Sequence, residues 1–144
     1  MNVIALDTET GGLVAGENAL LSVGGCCSWN GSALEAYITA ESQPSLSVEP
    51  AASKVNGYSL QIWKKRGARP VADAFRDVAD WIGARLQEQP DAVIVCHNLV
   101  HDLPFLRALA RANGHDDLCA GLHRYAWRCS QQRLIGLIDS GRVP

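Results

Sequence analysis

The sequence predicts an α/β fold built on one mixed sheet. Three short apolar runs fall within the first 39 residues, an amphipathic helix pattern covers 70–87, and a continuous apolar run of strand length covers 92–96. Strands followed by a helix, a strand and a further helix are typical of this class. We therefore expect an antiparallel three-strand meander with a parallel strand beside it, flanked by helices.

The three meander strands are predicted at 2–8, 19–29 and 32–39. The first is rich in β-branched residues and ends in acids just before Gly11 and Gly12, which is typical of a buried strand followed by a turn. Gly24 and Gly25 lie within the second strand and predict a bulge or a close backbone approach.

The predicted helices are 51–55, 60–66, 70–87, 103–113 and a last one running from 118 toward 138. Gly57 follows the first, where glycine suits the left-handed position that ends a helix. Pro70 fits the first turn of the third. The run at 92–96 is apolar throughout, as expected of a strand covered on both faces.

Composition places the chain among ordinary globular domains. Its 144 residues predict one domain, residues 1–144, and 47% are hydrophobic. A net charge of −2 argues against a strongly basic protein that coats nucleic acid, but it allows an enzyme that holds a few phosphates through a metal. Five cysteines without CxxC spacing predict reduced thiols, and no signal peptide or membrane span is seen. We expect a cytoplasmic protein that does not contact membranes.

Asp7 and Glu9 are the first candidate site residues. Residues two apart in a strand point to the same face, so both carboxylates converge on one point. They repel each other unless a cation neutralises them, and Mg²⁺ or Mn²⁺ prefers such oxygen ligands. The alternative is a solvated acidic strand end.

A second candidate cluster at 97–102 follows the buried strand, and Asp102 is expected to open the next helix. Its carboxylate could meet the first two if the strands are neighbours. The alternative for Asp102 is a helix cap. His97 and His101 could indicate zinc instead, although no cysteine or third histidine completes a recognisable ligand spacing.

Three segments, taken in order, resemble the DEDD superfamily of 3′–5′ exonucleases, which has an RNase H-like fold and includes the proofreading subunit of bacterial replicative polymerases. The segment 7–12 is similar to its first motif, and 97–102 is similar to its second motif, His-Asn-x-x-Phe-Asp, with His101 in place of the aromatic residue. The segment 52–57 resembles the Ala-x-x-Val-(His/Asn)-Gly sequence that members place beside the terminal nucleotide.

The resemblance implies two-metal hydrolysis of nucleotides from a single-stranded or frayed 3′ end of DNA or RNA. Asp7 would bridge two Mg²⁺ or Mn²⁺ ions, Glu9 would hold one of them with the attacking water, and Asp102 would help to fix the other. The implied substrate-binding residues are Thr10, Gly11, Gly12, Val55 and Asn56. A basic cluster could contact phosphates or be a solvated surface; it comprises Lys64, Lys65, Arg66 and Arg69.

The family's third motif supplies a general base and a fourth Asp, and this chain does not match it well. A register starting at His123 places Arg128 where the Asp should be. The register that we prefer makes 127–130 the counterpart of the family's Trp-x-Asp-Thr segment, with Cys129 in the Asp position, and this segment precedes the third motif.

On this register we expect an exonuclease domain that is incomplete or inactive as this fragment. A partner chain, a polymerase or a second copy of the chain could complete it. The alternative function is a non-catalytic module that binds nucleic acid or protein and retains the fold.

Overall fold

A mixed five-stranded sheet organises the protein. The computed structural model describes residues 2–43 and 45–115, together with the backbone of 127–129. The strands are β1 (Val3–Thr10), β2 (Leu20–Cys27), β3 (Ala33–Tyr37), β4 (Val93–Cys96) and β5 (Trp127–Cys129). Their order is β3-β2-β1-β4-β5, with β1–β2 and β2–β3 antiparallel and β1–β4 and β4–β5 parallel. The predicted fold class is confirmed.

Four α-helices and a short 3₁₀ helix at Ala40–Ser42 accompany the sheet in the described part of the chain. The helices are α1 (Pro50–Asn56), α2 (Leu60–Lys65), α3 (Val71–Glu88) and α4 (Leu99–Ala112). Gly57 closes α1 in the left-handed conformation at φ 70°, as predicted, and Ser59 caps α2 by accepting a hydrogen bond from the backbone of Ile62. No described helix is long and apolar enough to cross a membrane.

Two apolar clusters hold these elements together. The larger joins the buried face of α3, including Phe75 and Val78, to sheet residues such as Ile4 and to α4. The smaller surrounds Trp63 of α2, whose indole N–H donates to the carbonyl of Leu21 at 2.7 Å. This bond satisfies a buried donor and fixes α2 against β2, next to the end of β1 that carries the acids.

The prediction that α4 begins at 103 was wrong. The helix begins at Leu99, so Asp102 lies in its first turn rather than at its start. The Asp102 backbone N–H already donates to the carbonyl of Asn98 at 2.9 Å, while its carboxylate accepts from the Asn98 N–H at 3.3 Å. The Asp102 carboxylate therefore accepts a hydrogen bond from the Asn98 N–H, a donor that has no partner within the helix, although Asp102 itself lies in the first helical turn.

The predicted last helix is also wrong where the structure describes it. Trp127–Cys129 is a strand whose residues pair with Ile94, Val95 and Cys96 of β4. Without this strand the outer backbone groups of β4 would lack sheet partners, and unpaired backbone groups are costly when buried. The rest of the span 118–138 lies outside the described residues.

The glycines of β2 fulfil one of their two predicted roles. A Cβ at Gly25 would lie 3.0 Å from the Trp81 ring, which confirms a close approach. The bulge prediction was wrong for this pair, because the β1–β2 register shifts between Glu9 and Thr10 instead. The irregularity therefore falls at the acidic end of β1.

Candidate active site

Asp7 and Glu9 lie on one face of β1, as predicted. Asp7 is exposed and Glu9 is half-buried, whereas Thr8 between them is buried on the other face. Their partners on β2 are Gly24 and Ser22. Because these partners are small, the space above the two carboxylates stays open.

Asp102 reaches β1 from the first turn of α4. Parallel pairing of β1 with β4 brings the ends of these strands together, so that Leu6 faces Cys96. Asp102 is only 2% exposed, and its Oδ1 accepts a 2.6 Å hydrogen bond from the hydroxyl of Thr8. With the bond from the Asn98 N–H, both carboxylate oxygens have partners. The third predicted carboxylate is therefore anchored directly to the strand that carries the other two.

The three carboxylates influence one another electrostatically. Partial burial raises the pKa of Glu9, and the negative charges of Asp7 and then Asp102 raise it further. Burial is also the main cause that raises the pKa of Asp102, with Asp7 adding to it and the Thr8 hydrogen bond opposing it. The cluster carries a repulsion that a bound cation would relieve.

The donor chemistry of this cluster fits a divalent metal ion. Carboxylate oxygens are the ligands that Mg²⁺ and Mn²⁺ prefer, and all three acids lie at one end of the sheet. Among the described residues, no three His, Cys, Asp or Glu side chains already lie close enough to form a metal centre. In the described part of the chain this finding applies equally to the three carboxylates and to the zinc alternative with His97 and His101.

A largely apolar cavity of about 340 Å³ opens beside Glu9, and we call it the apolar hollow. Its lining residues are Thr8, Glu9, Thr10, Gly12, Leu13, Glu49, Ala51, Ala52, Val55, Asn56 and His101. Leu13 and Val55 are 82% and 88% exposed. Four of the five predicted substrate-binding residues are therefore brought together here.

Sequence reasoning missed Leu13 and His101 as lining residues. No signal in the sequence separates Leu13 from other exposed apolar residues, because single apolar side chains are common on protein surfaces.

Gly11 is the predicted substrate residue that does not line the apolar hollow. A Cβ at this position would lie 2.5 Å from the backbone oxygen of Ser47, and one at Gly12 would lie 2.4 Å from the Asn18 side chain. Gly11 also donates to the carbonyl of Ala19 at 2.7 Å. Close packing against the protein's own loop thus accounts for glycine at both positions.

Hydrogen bonds fix the walls of the apolar hollow. The Thr10 hydroxyl donates to the carbonyl of Gly12 at 2.7 Å, so it can accept from Nε2 of His101, 3.1 Å away. The Asn56 amide donates to the carbonyl of Thr10 at 3.0 Å, while its oxygen accepts from the backbone of Tyr58. Asn56 therefore holds α1 against the end of β1 and also lines the cavity.

A second cavity, of about 210 Å³, includes Asp7 and Glu9 in its wall, and we call it the charged hollow. Its lining residues are Asp7, Thr8, Glu9, Ser22, Gly24, Glu35, Tyr37, Asn56, Trp63 and Arg66. Thr8, Glu9 and Asn56 line both hollows. The acidic end of β1 thus stands between two cavities of different chemistry.

Comparison with known proteins shows which proteins this chain resembles. No family profile matches the chain. It is 31% identical over 104 residues to the 3′–5′ DNA exonuclease Cap18 of Escherichia coli, an alignment that covers 72% of this chain and 54% of that protein. A product-bound structure of exonuclease I matches with a TM-score of 0.75 at 16% identity, across 95% of this chain and 31% of that one.

The chain is thus similar in sequence to a 3′–5′ DNA exonuclease and similar in fold to exonuclease I. E. coli exonuclease I in complex with a dT13 oligonucleotide matches with a TM-score of 0.62 at 17% identity, across 78% of this chain and 24% of that one. An exonuclease I/SSB-Ct complex matches with a TM-score of 0.76 at 16% identity, across 95% and 30%. The predicted resemblance to 3′–5′ exonucleases and the predicted RNase H-like fold are thus confirmed. The chain spans about half the length of Cap18 and about a third of exonuclease I.

Proposed function

We propose that the chain carries the metal-binding half-site of a 3′–5′ exonuclease that removes nucleotides from the 3′ end of single-stranded DNA. The observation that supports it best is that Asp7, Glu9 and Asp102 lie at the same end of β1, where the charges of Asp7 and Asp102 act on Glu9, and that a cavity of about 340 Å³ opens beside Glu9. Similarity to a DNA exonuclease favours DNA over RNA as substrate.

In this proposal each described residue has a distinct task. Asp7, Glu9 and Asp102 hold the metal, and the Thr8 hydroxyl and Asn98 N–H orient Asp102. Bound Mg²⁺ or Mn²⁺ ions would activate the attacking water and offset charge on the scissile phosphate.

The terminal nucleotide would occupy the apolar hollow. Its base would lie between the exposed side chains of Leu13 and Val55, and its sugar would lie near the turn at Thr10 and Gly12. This arrangement buries apolar surface on the base without requiring a particular base. In this proposal Thr10, Gly12 and Val55 keep their predicted role of contacting the substrate. Gly11 contributes by shaping the turn.

The proposal assigns no general base to residues 2–115. β5 supports the register in which 127–130 precedes the third motif, because Arg128 lies in a strand and not in the late helix that carries the family's base and fourth Asp. His123 and Tyr125 lie outside the described residues. We keep residues 1–144 as one proposed exonuclease domain.

The test uses the natural protein and a 5′-labelled oligonucleotide with Mn²⁺. Where a further segment or a partner chain completes the half-site, we expect stepwise shortening from a free 3′ end and none from a chemically blocked 3′ end. Asp7→Ala and Asp102→Ala should each slow shortening by at least roughly 100-fold, since mutation of even indirect metal-site partners costs about 10–100-fold. Equal rates for both variants and the parent would contradict the proposal.

Metal binding provides a readout that does not depend on activity. Calorimetric Mn²⁺ titration of the chain should give a carboxylate-dependent site that Asp7→Ala and Asp102→Ala weaken. Glu17→Ala serves as the control, because Glu17 is an exposed acid that lines neither hollow.

A second candidate is a non-catalytic module that binds single-stranded DNA or a protein partner. The burial of Asp102, which is only 2% exposed, favours it, as does the finding that no three His, Cys, Asp or Glu side chains of the described residues lie close enough to hold a metal. The complex of exonuclease I with SSB-Ct suggests the class of protein partner. Oligonucleotide binding that is independent of Mn²⁺ and unchanged in Asp7→Ala would favour this candidate.

A further inference from the structure

Arg66 lines the charged hollow, and its contacts with two aromatic rings fix its position. Its guanidinium lies over the rings of Tyr37 and Trp63, with its carbon 5.3 and 5.2 Å from their centroids, and one N–H donates to the Tyr37 hydroxyl at 3.3 Å. Trp63 is itself buried and hydrogen-bonded to the backbone of β2. An exposed arginine is thus held on a rigid aromatic platform, which reduces the entropy lost when it binds a ligand.

The structure separates Arg66 from the other members of the basic cluster. Arg69 forms an ion pair with Asp77, and Lys64 and Lys65 are exposed and do not line the charged hollow. Arg66 makes no ion pair with any carboxylate among the described residues. It is the one Lys or Arg side chain among the described residues that line the charged hollow, whose lining also includes Asp7 and Glu9.

The charged residues that line the charged hollow determine which ligands it would bind. Asp7, Glu9 and Glu35 make the hollow acidic, so an anion would enter only when metal ions offset these charges. A guanidinium fixed by stacking still presents N–H donors along its edge, and their planar geometry matches the oxygens of a phosphodiester. A nucleic-acid strand with one phosphate at the metal site would carry its next phosphates past this residue.

We propose that Arg66 is a positioning residue that binds one phosphodiester of the substrate strand on the 5′ side of the scissile linkage. This inference rests on the proposed function, because the metal-bound phosphate sets where the strand enters. The apolar hollow takes the terminal nucleotide, and the charged hollow takes the backbone that follows it. The contact is to a phosphate, so it is independent of base sequence.

The experiment compares Arg66→Ala, Arg66→Lys and a control, Arg76→Ala. Arg76 is an exposed arginine of α3 that lines neither hollow and lies 3.6 Å from Asp73. Fluorescence anisotropy with a labelled single-stranded DNA in Ca²⁺ should show roughly tenfold weaker binding for Arg66→Ala, with Arg76→Ala near the parent and Arg66→Lys between them. The slope of log affinity against log salt should fall by about 0.7.

A set of oligonucleotides, each with one uncharged methylphosphonate linkage, then identifies the phosphate. The parent should lose affinity most at one internal linkage near the 3′ end, and Arg66→Ala should lose nothing further there, since the two changes remove one contact. Thermal unfolding checks that each variant folds, and Arg66→Gln replaces Arg66→Ala if it does not.

The outcomes distinguish this inference from the proposed function. If the parent binds and shortens DNA but Arg66→Ala behaves like Arg76→Ala, the Arg66 contact is wrong and the exonuclease proposal stands. If Arg66→Ala weakens binding equally at every linkage, its effect is general electrostatics and the inference is also wrong. If the parent neither binds nor shortens DNA, both are overturned.

Discussion

The two hollows on either side of Glu9 differ in chemistry although they share three residues. The apolar hollow is walled by Leu13, Ala51, Ala52 and Val55, with the exposed apolar tips at its mouth. The lining of the charged hollow includes three acids, Asp7, Glu9 and Glu35, and one arginine, Arg66. In the proposed complex, this difference would let the end of β1 bind the two parts of a nucleotide separately. The base would contact apolar side chains, and the phosphate would lie near charged ones.

Asn56 marks the division between them. Its two side-chain hydrogen bonds, to the carbonyl of Thr10 and the backbone of Tyr58, make a fixed partition between the hollows. Changes that affect one hollow should therefore leave the other intact, except at shared positions.

The largest effect is expected at Glu9, which belongs to both hollows. Glu9→Gln should slow 3′-end shortening by at least roughly 100-fold, because it removes a proposed metal ligand. The variant should be no less stable in thermal unfolding, since a neutral side chain no longer repels Asp7 and Asp102. The exposed Glu17→Gln serves as control, and a Glu9→Gln variant with the parent's rate would remove Glu9 from the site.

Two glycines, one in the turn after β1 and one in β2, give the next effect. Gly11→Ala should lower the free energy of unfolding by about 1–3 kcal/mol, because its Cβ would meet the Ser47 backbone oxygen at 2.5 Å. Gly24→Ala, in the charged hollow, should be neutral or slightly stabilising, since no atom lies within 4 Å of a Cβ there. Urea unfolding of both measures this contrast, and equal losses would show that the Gly11 turn can relax.

The smallest effect is expected at Val55. Val55→Ala should weaken binding of single-stranded DNA by roughly 3–10-fold, through lost apolar contact with the base, and should leave stability unchanged because the side chain is 88% exposed. Val100→Ala is the control, since Val100 is 72% exposed but lines neither hollow. Anisotropy measures both, and identical affinities would mean that the base does not reach Val55.

Most of the fold could be predicted from the sequence because its signals are local. The apolar run at 92–96 and the helical stripe at 70–87 need no partner to be recognised, and the structure has β4 and α3 there. The sequence prediction places the start of α4 too late, at 103, because Asp102 also suits a helix cap, whereas in the structure its carboxylate reaches back to the Asn98 N–H from the first turn. β5 at Trp127–Cys129 was missed because its strand state depends on the free edge of β4.

In the candidate site, too, some features follow from local sequence signals and others depend on contacts between separate elements. The shared face of Asp7 and Glu9 follows from strand alternation, so the sequence predicts it. The commitment of Asp102 to Thr8 and the placement of Arg66 over Tyr37 and Trp63 join residues from different elements. No spacing rule within one segment can reveal such contacts. The metal-ligand and substrate roles themselves stay predictions.

The parallel pairing of β1 with β4 also determines when the acidic cluster can form during synthesis. Thr8 and Asp102 are 94 positions apart, whereas β2 and β3 follow β1 directly along the chain. At typical translation rates, roughly 5–20 s separate the emergence of the two ends of this contact from the ribosome. The meander has time to form first, and contacts of such long range also fold slowly. A growing chain would therefore carry Asp7 and Glu9 on a formed hairpin well before Asp102 can join them, so metal binding would be among the last steps of its maturation.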